Sequence, residues 1–272
     1  WGDGNRASIA FSYNDANTST YRSPTMADWK DKGRGFNFNK EYTDGDTEYW
    51  RLYRGPFRNF YTAAPIHLKL SDTLDFDSSA YLQFGHGNSP YGTQLTTTGN
   101  FLGNEEITHS IDLPGNVDGL ATVLGNYTGK QFRVGDVSKL TLKTGAHQIT
   151  AGVWFDYGTD RVTQTYTSLK PNGRPVDMWG YTDKAIRTPD GRLLAFENAR
   201  TVTVTKGFFL ADSIQVSPKL GIDVGFKGVN LLRNGRNYLP GPQRKVRYNA
   251  FAALPRAAVR YRLDDRQQVF AN

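Results

Sequence analysis

Apolar and polar positions alternate along most of this chain with a period of two. In KLGIDVGFKG, Leu220, Ile222, Val224 and Phe226 fall on one side, while Gly221, Asp223, Gly225 and Lys227 fall on the other. Successive side chains of a strand point to opposite faces, so the segment predicts a two-faced strand. The same rhythm runs through RASIAFSYN, LDFDSSAYLQF, HQITAGVWFDY, TVTVTKGFFL and RAAVRYRL. In the last of these, Arg256, Arg260 and Arg262 share one face, and Val259, Tyr261 and Leu263 the other. The alternation places about nine to eleven strands, and no stretch shows the 3.6-residue period of a helix.

The expected connections are of two kinds. Tight turns are predicted near Asp72, Gly145, Pro218 and Asp264. Long loops rich in Gly, Pro, Asn and Asp are predicted over Thr18–Tyr49, Gly87–Lys130, Ser168–Ala199 and Arg233–Ala253. Short turns alternating with long loops suit an antiparallel barrel with one short-turn rim and one long-loop rim. A compact soluble domain has little use for so many long loops. Aromatic residues close the apolar stripes: Phe84, Phe155 and Tyr157 toward the long loops, Phe76 and Tyr261 toward the short turns. Interfacial aromatic girdles have that placement. The expected fold is therefore an all-β, antiparallel transmembrane β-barrel wall. Its apolar side meets lipid and its polar side lines the lumen.

Composition changes the picture in a few places. The chain has 272 residues, with 15 Tyr, 16 Phe and 28 Gly, a mixture that favours strands and turns. No run approaches the roughly 18 apolar residues of a membrane helix, which excludes a helical membrane protein and leaves a barrel untouched. There is no cysteine, hence no disulfide and no thiolate metal site. The net charge of +7 is scattered, with RKVRY the densest cluster, and no recognition helix accompanies it. Nucleic acid is not an expected partner; a basic surface attracting an anionic solute is. The opening WGDGNRASIAF has neither a basic start nor an apolar run, so no leader is expected in this sequence.

GFFLADSIQVSPKLGIDVGFKGVNL and ALPRAAVRYRLDDRQQVFAN, together with FGHGNSPYG and YRGPFRNFY, resemble the barrel of a TonB-dependent outer-membrane receptor of the siderophore-receptor type. The match is one of rhythm and phrase over most of the chain rather than of an invariant signature. It implies that residues 1–272 are part of a β-barrel domain of about 22 strands. The plug domain and TonB-contacting segment of that family are not recognisable here, so the chain reads as a middle portion of a receptor. The resemblance also implies an outer-membrane location and a ferric siderophore or similar small solute as cargo. The TonB–ExbB–ExbD complex would supply the force, and the wall would contact outer-membrane lipid and lipopolysaccharide. A passive porin and, less simply, a soluble β-sandwich binding module are the alternative readings of the same pattern.

Candidate chemistry is sparse. His67, His86, His109 and His147 lack metal-ligand spacing. TDGDTE, with Asp44, Asp46 and Glu48, lacks the rest of an EF-hand loop. Asp75/Asp77 and Asp264/Asp265 sit beside predicted turns, where turn chemistry explains them. Asn126 opens an Asn-Tyr-Thr glycosylation pattern that carries no weight in a bacterial barrel. No phosphate loop or nucleophile motif appears, and neither enzymatic activity nor a cofactor or metal is expected. DMWGYTDKAIR and RNGRNYLPGPQRKVRYN mix aromatics with arginines, a combination that stacks on flat ligands and pairs with anions. Trp179, Tyr181, Arg187, Arg233, Arg236, Tyr238 and Arg244 are the expected ligand-binding residues.

Overall fold

The computed structural model of the chain describes residues 4–242 and 244–272. The first three residues, at the head of the opening segment, and Gln243, inside the expected loop after Arg233, lie outside the described residues. The strands in chain order are β1 (Arg6–Ala7), β2 (Ala10–Ser19), β3 (Arg54–Lys69), β4 (Leu74–Asn88), β5 (Tyr91–Thr96), β6 (Phe101–Leu102) and β7 (Glu105–Glu106). They continue with β8 (Leu120–Thr144), β9 (His147–Ser168), β10 (Ala195–Gln215), β11 (Leu220–Asn237), β12 (Lys245–Arg262) and β13 (Gln268–Ala271). Every strand pairing is antiparallel, and all but the small β6–β7 hairpin belong to one 11-stranded sheet. The sheet runs in chain order from β1 and β2 through β3, β4, β8, β9, β10, β11 and β12 to β13 and does not close on itself.

Register confirms the two-faced reading. Leu68, Phe76, Leu140, Ala151, Leu210, Phe226 and Pro255 are successive cross-strand partners, so they form one apolar row on one face. The neighbouring positions His67, Asp77, Lys139, Gly152, Phe209, Lys227 and Leu254 form a mixed row on the other. The first face is the outward, lipid-facing one and the second lines the lumen. Val153, Phe155, Phe208 and Leu210 are exposed on the outward face. Such apolar exposure is stable only against hydrocarbon. Among the described residues, no helix is long and apolar enough to cross a membrane.

β1 and β2 are a single strand in register, interrupted opposite Pro65. Proline has no amide hydrogen, so the ladder bond it would donate is missing, while its carbonyl still accepts from Ser8 at 3.1 Å.

Three expectations change. The segment after Gly87 is not loop to Lys130: β5 pairs with the extended start of β8, leaving residues 97–119 and the β6–β7 hairpin as the excursion. The stretch from Arg233 to Ala253 is mostly strand, because β11 runs to Asn237 and β12 begins at Lys245. Both stretches carry turn-forming residues, but pairing with a long neighbour overrides local preference. The loop after β2 contains a short helix, α1 (Met26–Lys32). Thr25 caps it by accepting from the Asp28 amide at 3.2 Å, and Asp28 accepts the Thr25 amide at 3.0 Å in return. Seven residues are too few to display a periodic pattern.

At about 3.3 Å per residue, the 25-residue β8 is far longer than a bilayer requires, even when tilted. Its upper third is covered on both sides. Inward-facing Ala121 and Val123 pack with Leu95, Ile111, Leu113, Ile186 and Leu194. Outward-facing Leu124 packs with Tyr49 and Leu52. The loop over residues 169–194 serves both clusters, with Met178 on one and Ile186 and Leu194 on the other.

Candidate functional site

The inward face carries a polar network centred on Asp156. Alternation in AYLQF, FRVGDV and VWFDY places Tyr81, Arg133, Trp154 and Asp156 on that face, and register brings them together. Asp156 is buried, accepts from Arg133 Nε at 2.7 Å and accepts the hydroxyl of Tyr81. Trp154 Nε1 lies 3.5 Å from the same hydroxyl, and Lys227 Nζ sits 4.8 Å from the centre of a Trp154 ring. Gly135, the partner of Tyr81, makes this possible: a Cβ there would stand 2.4 Å from the Tyr81 hydroxyl oxygen. Gly152 does the same for Phe209, whose ring fills the space a side chain would take. A cleft of about 220 Å³ opens beside Asp156, lined by Gln83, Gln131, Arg133, Asp160 and Thr203. These residues were missed in the sequence because alternation gives a face and not a cross-strand neighbour.

The residues expected to bind ligand divide between locations. Trp179, Tyr181 and His86 form a three-ring cluster: the Trp and Tyr ring centres lie 5.5 and 5.3 Å from the imidazole and 6.3 Å from each other. His86 shares its outward face with Arg58 and Lys130, whose cations lie 4.8 Å from Trp179 and 5.7 Å from Tyr181. Asn88 ties the same loop to the wall by donating to the carbonyl of Met178 at 2.9 Å and to Asn126 at 2.8 Å. Gly180 closes over Asn126 and Thr128, and Asn126 is fully buried, so the glycosylation pattern at Asn126 has no exposed acceptor. Tyr238 also stands on the outward side, 4.8 Å from Arg236 and 5.7 Å from Arg161.

Arg187, Arg233 and Arg244 are exposed and lie apart from those aromatic clusters. Arg233 occupies the inward face of β11, opposite Thr203 and Tyr248. Arg187 donates to the carbonyls of Gly191 at 2.9 Å and Thr182 at 3.4 Å, closing the crest of the loop. Beside it the Thr188 hydroxyl, and then Arg192, hold the Asp190 carboxyl below its usual range. Arg192 also pairs with Glu105 at 2.6 Å, joining this loop to the β6–β7 hairpin. Leu239 is buried with Leu102 and Ala195, and Asn104 donates to Pro240 at 3.1 Å, so the short loop after β11 rests on that hairpin.

The acidic groups weighed for chemistry are engaged locally. Asp46 accepts the Glu48 amide at 2.7 Å, and Glu48 pairs with Arg22 at 2.6 Å. Asp75 meets Lys143 at 2.9 Å and Asp77 meets His67 at 2.8 Å. Asp264 accepts the amides of Arg266 and Gln267, as turn chemistry requires.

A two-faced, twisted wall with all long loops gathered on one rim defines a segment of a large antiparallel transmembrane β-barrel. Solved structures give that segment its particular likeness. The ferric citrate transporter FecA in its unliganded form superposes on 97% of this chain and 32% of its own, with a TM-score of 0.61 at 14% identity. The siderophore receptor PiuA from Acinetobacter baumannii covers 98% of this chain and 39% of its own, with a TM-score of 0.56 at 12% identity. The ferric-catecholate import receptor Fiu from E. coli K12, in its closed form, covers 98% and 40%, with a TM-score of 0.54 at 12% identity. The chain thus spans about a third to two fifths of the length of these receptors. Its fold is the one that the sequence resemblance implies. No protein-family model matches the chain, and no curated protein matches it in sequence.

Proposed function

We propose that the chain is a stretch of the wall of an outer-membrane receptor that imports a scarce solute, a ferric siderophore. One observation carries the reading: a wall with a polar inward face and a single loop-bearing rim shares its fold with three proteins that handle ferric chelates. Loops on stiff strand extensions capture the solute outside, and the inward network around Asp156 lines its route. Arg187, Arg233 and Arg244 take anionic groups of the chelate, because their guanidinium groups are exposed, Arg187 while it also braces the loop crest. Trp179, Tyr181, Arg236 and Tyr238, on the outward side, hold in position the loops that carry that surface. Coupling to TonB–ExbB–ExbD runs through a part of the receptor outside this sequence.

Accumulation of a labelled ferric chelate by cells carrying the full receptor tests the reading. Uptake should require both the receptor and TonB. Uptake that persists without TonB would instead support a passive channel.

A further inference from the structure

Of the four histidines only His86 is buried, at 8% exposed. Its Nδ1 lies 3.2 Å from the carbonyl of Gly129, which can only accept, so Nδ1 carries the proton of the neutral ring. Nε2 is then a bare lone pair, and among the described residues it has no hydrogen-bond partner. Phe60, Phe84 and Phe132 form the cross-strand row one step nearer the short turns. Aromatic rings at that level mark the edge of the hydrocarbon, so His86 stands on the loop side of it.

Each element packed on the ring brings a charge. β3 supplies Arg58 and β8 supplies Lys130, the register partners of His86 on either side. The loop over residues 169–194 supplies Tyr181, Trp179 and Asp177, whose carboxylate accepts the amides of Trp179 at 3.1 Å and Tyr181 at 2.7 Å. Arg58 in turn pairs with Asp15 at 2.8 Å. A proton on Nε2 would place a third cation in this row and bury an N–H without an acceptor. The rings of Trp179 and Tyr181 already face Arg58 and Lys130, so they offer a new cation little more. Burial first, and then Lys130 and Arg58, hold the imidazole below its ordinary 6.5, while the Gly129 carbonyl and Asp177 act in the opposite sense.

We propose that His86 is a proton-operated latch for the segment from Asp177 to Tyr181. At neutral pH the uncharged ring sits under Trp179 and Tyr181, and Gly180 seats the segment on Asn126 and Thr128. Protonation charges the ring, and the segment lifts so that water reaches Nε2. The apolar anchors, Met178 outside and Ile186 and Leu194 inside, carry no charge, so the loop slackens rather than unfolds. A basic group depressed in the closed state favours closure fully above the open-state value of about 6.5, and that preference falls as pH drops below it. Each unit of depression becomes about a tenfold rise in the open population. In the uptake reading above, acid thus slackens the mount of Arg187; the latch itself does not depend on that reading.

A cysteine reporter in the full receptor tests the latch without measuring uptake. Thr128→Cys lies under Gly180 and should be alkylated only when the segment lifts. Its rate is normalised at each pH to that of the exposed reporter Lys170→Cys in a separate receptor. The normalised rate should rise about tenfold between about pH 7.5 and pH 5. His86→Gln, which keeps a donor for Gly129 and does not titrate, should abolish the rise. Lys130→Gln should shrink it, Asp177→Asn should enlarge it, and His109→Gln and His147→Gln should leave it unchanged. Where His86→Gln leaves the segment open at every pH, His86→Phe, neutral and able to stack, decides in its place. Surface labelling checks assembly of each variant. A rate that ignores pH, or a rise that survives the loss of His86, overturns the latch and leaves the uptake reading standing. A rise abolished by Asp177→Asn makes that carboxylate the switch and overturns the assignment to His86.

Discussion

Arg133 and Asp156 meet at 2.7 Å on the inward face, the first half-exposed and the second 2% exposed. Tyr81 approaches the same carboxylate from the next strand, lying over Gly135. A buried carboxylate with two donors tolerates the loss of one better than the loss of both. Tyr81→Phe and Arg133→Gln should each destabilise the assembled barrel by about 1 kcal/mol, the arginine's share being reduced by its exposure. The double variant should lose more than the sum. Denaturant unfolding of the four proteins measures the coupling, and strict additivity would count against a shared role at Asp156.

Orientation of the wall is tested by charge. Val224 and Val259 belong to the outward face, so Val224→Lys and Val259→Arg should each cost about 2 to 4 kcal/mol near the bilayer midplane and reduce assembly. Gly225→Ser and Arg260→Gln lie on the inward face and should assemble normally. A new Cβ at Gly225 comes within 3.1 Å of the Arg256 side chain, which is flexible enough to move aside. The opposite pattern in a heat-modifiability assay would reverse the two faces.

Asp136 breaks the outward apolar pattern. It faces lipid between its partners Ala80 and Phe155, and its oxygens accept from Ser78 at 2.7 Å and Ser138 at 2.5 Å. Two hydroxyls are a thin substitute for water around a carboxylate. Asp136→Leu should therefore assemble at least as well as wild type in a plain lipid bilayer and resist denaturant longer. A clear loss of stability would indicate that this carboxylate has a partner in the membrane.

Trypsin applied to intact cells should cut after Lys184 or Arg244, which stand on the long-loop rim. It should spare Lys219 and Arg266 in the short turns until the membrane is opened. Cleavage at Lys219 from outside would invert the proposed topology.

The α1 cap gives a pH-dependent signal. The hydroxyl and amide of Thr25 hold the Asp28 carboxyl below its ordinary 3.8. A depressed carboxylate contributes stability that is complete above the unfolded value and lost as pH falls through the folded one. Amide exchange at Asp28 and Trp29 should stay slow down to about pH 4 and accelerate below it. Thr25→Ala should remove that transition.

Period-two alternation made the strands and the inward and outward faces legible, since side-chain direction is a local property of the backbone. Loop lengths were less legible. The glycines and prolines at Gly87, Pro90 and Gly92 suggest a loop, yet the upper part of β8 recruits Tyr91–Thr96 as a strand. Contacts between strands were not legible at all. Trp179 and Tyr181 were chosen for their aromaticity, but their stacking on His86 depends on how far one loop folds back.

The loop over residues 169–194 is anchored on both faces of β8 and β9, by Met178 outside and by Ile186 and Leu194 inside. A clasp of this kind has no seat until the two long strands have paired. Until then Leu124, Val123 and Ala121 remain wet, and the exterior end of the wall lacks its own core. Maturation of this region is therefore ordered in time: zippering of β8 with β9 comes first, and the clasp locks afterwards. Once locked, the loop crest is tied to the strand ends on both faces of the sheet, so the exterior end of the wall has a core of its own.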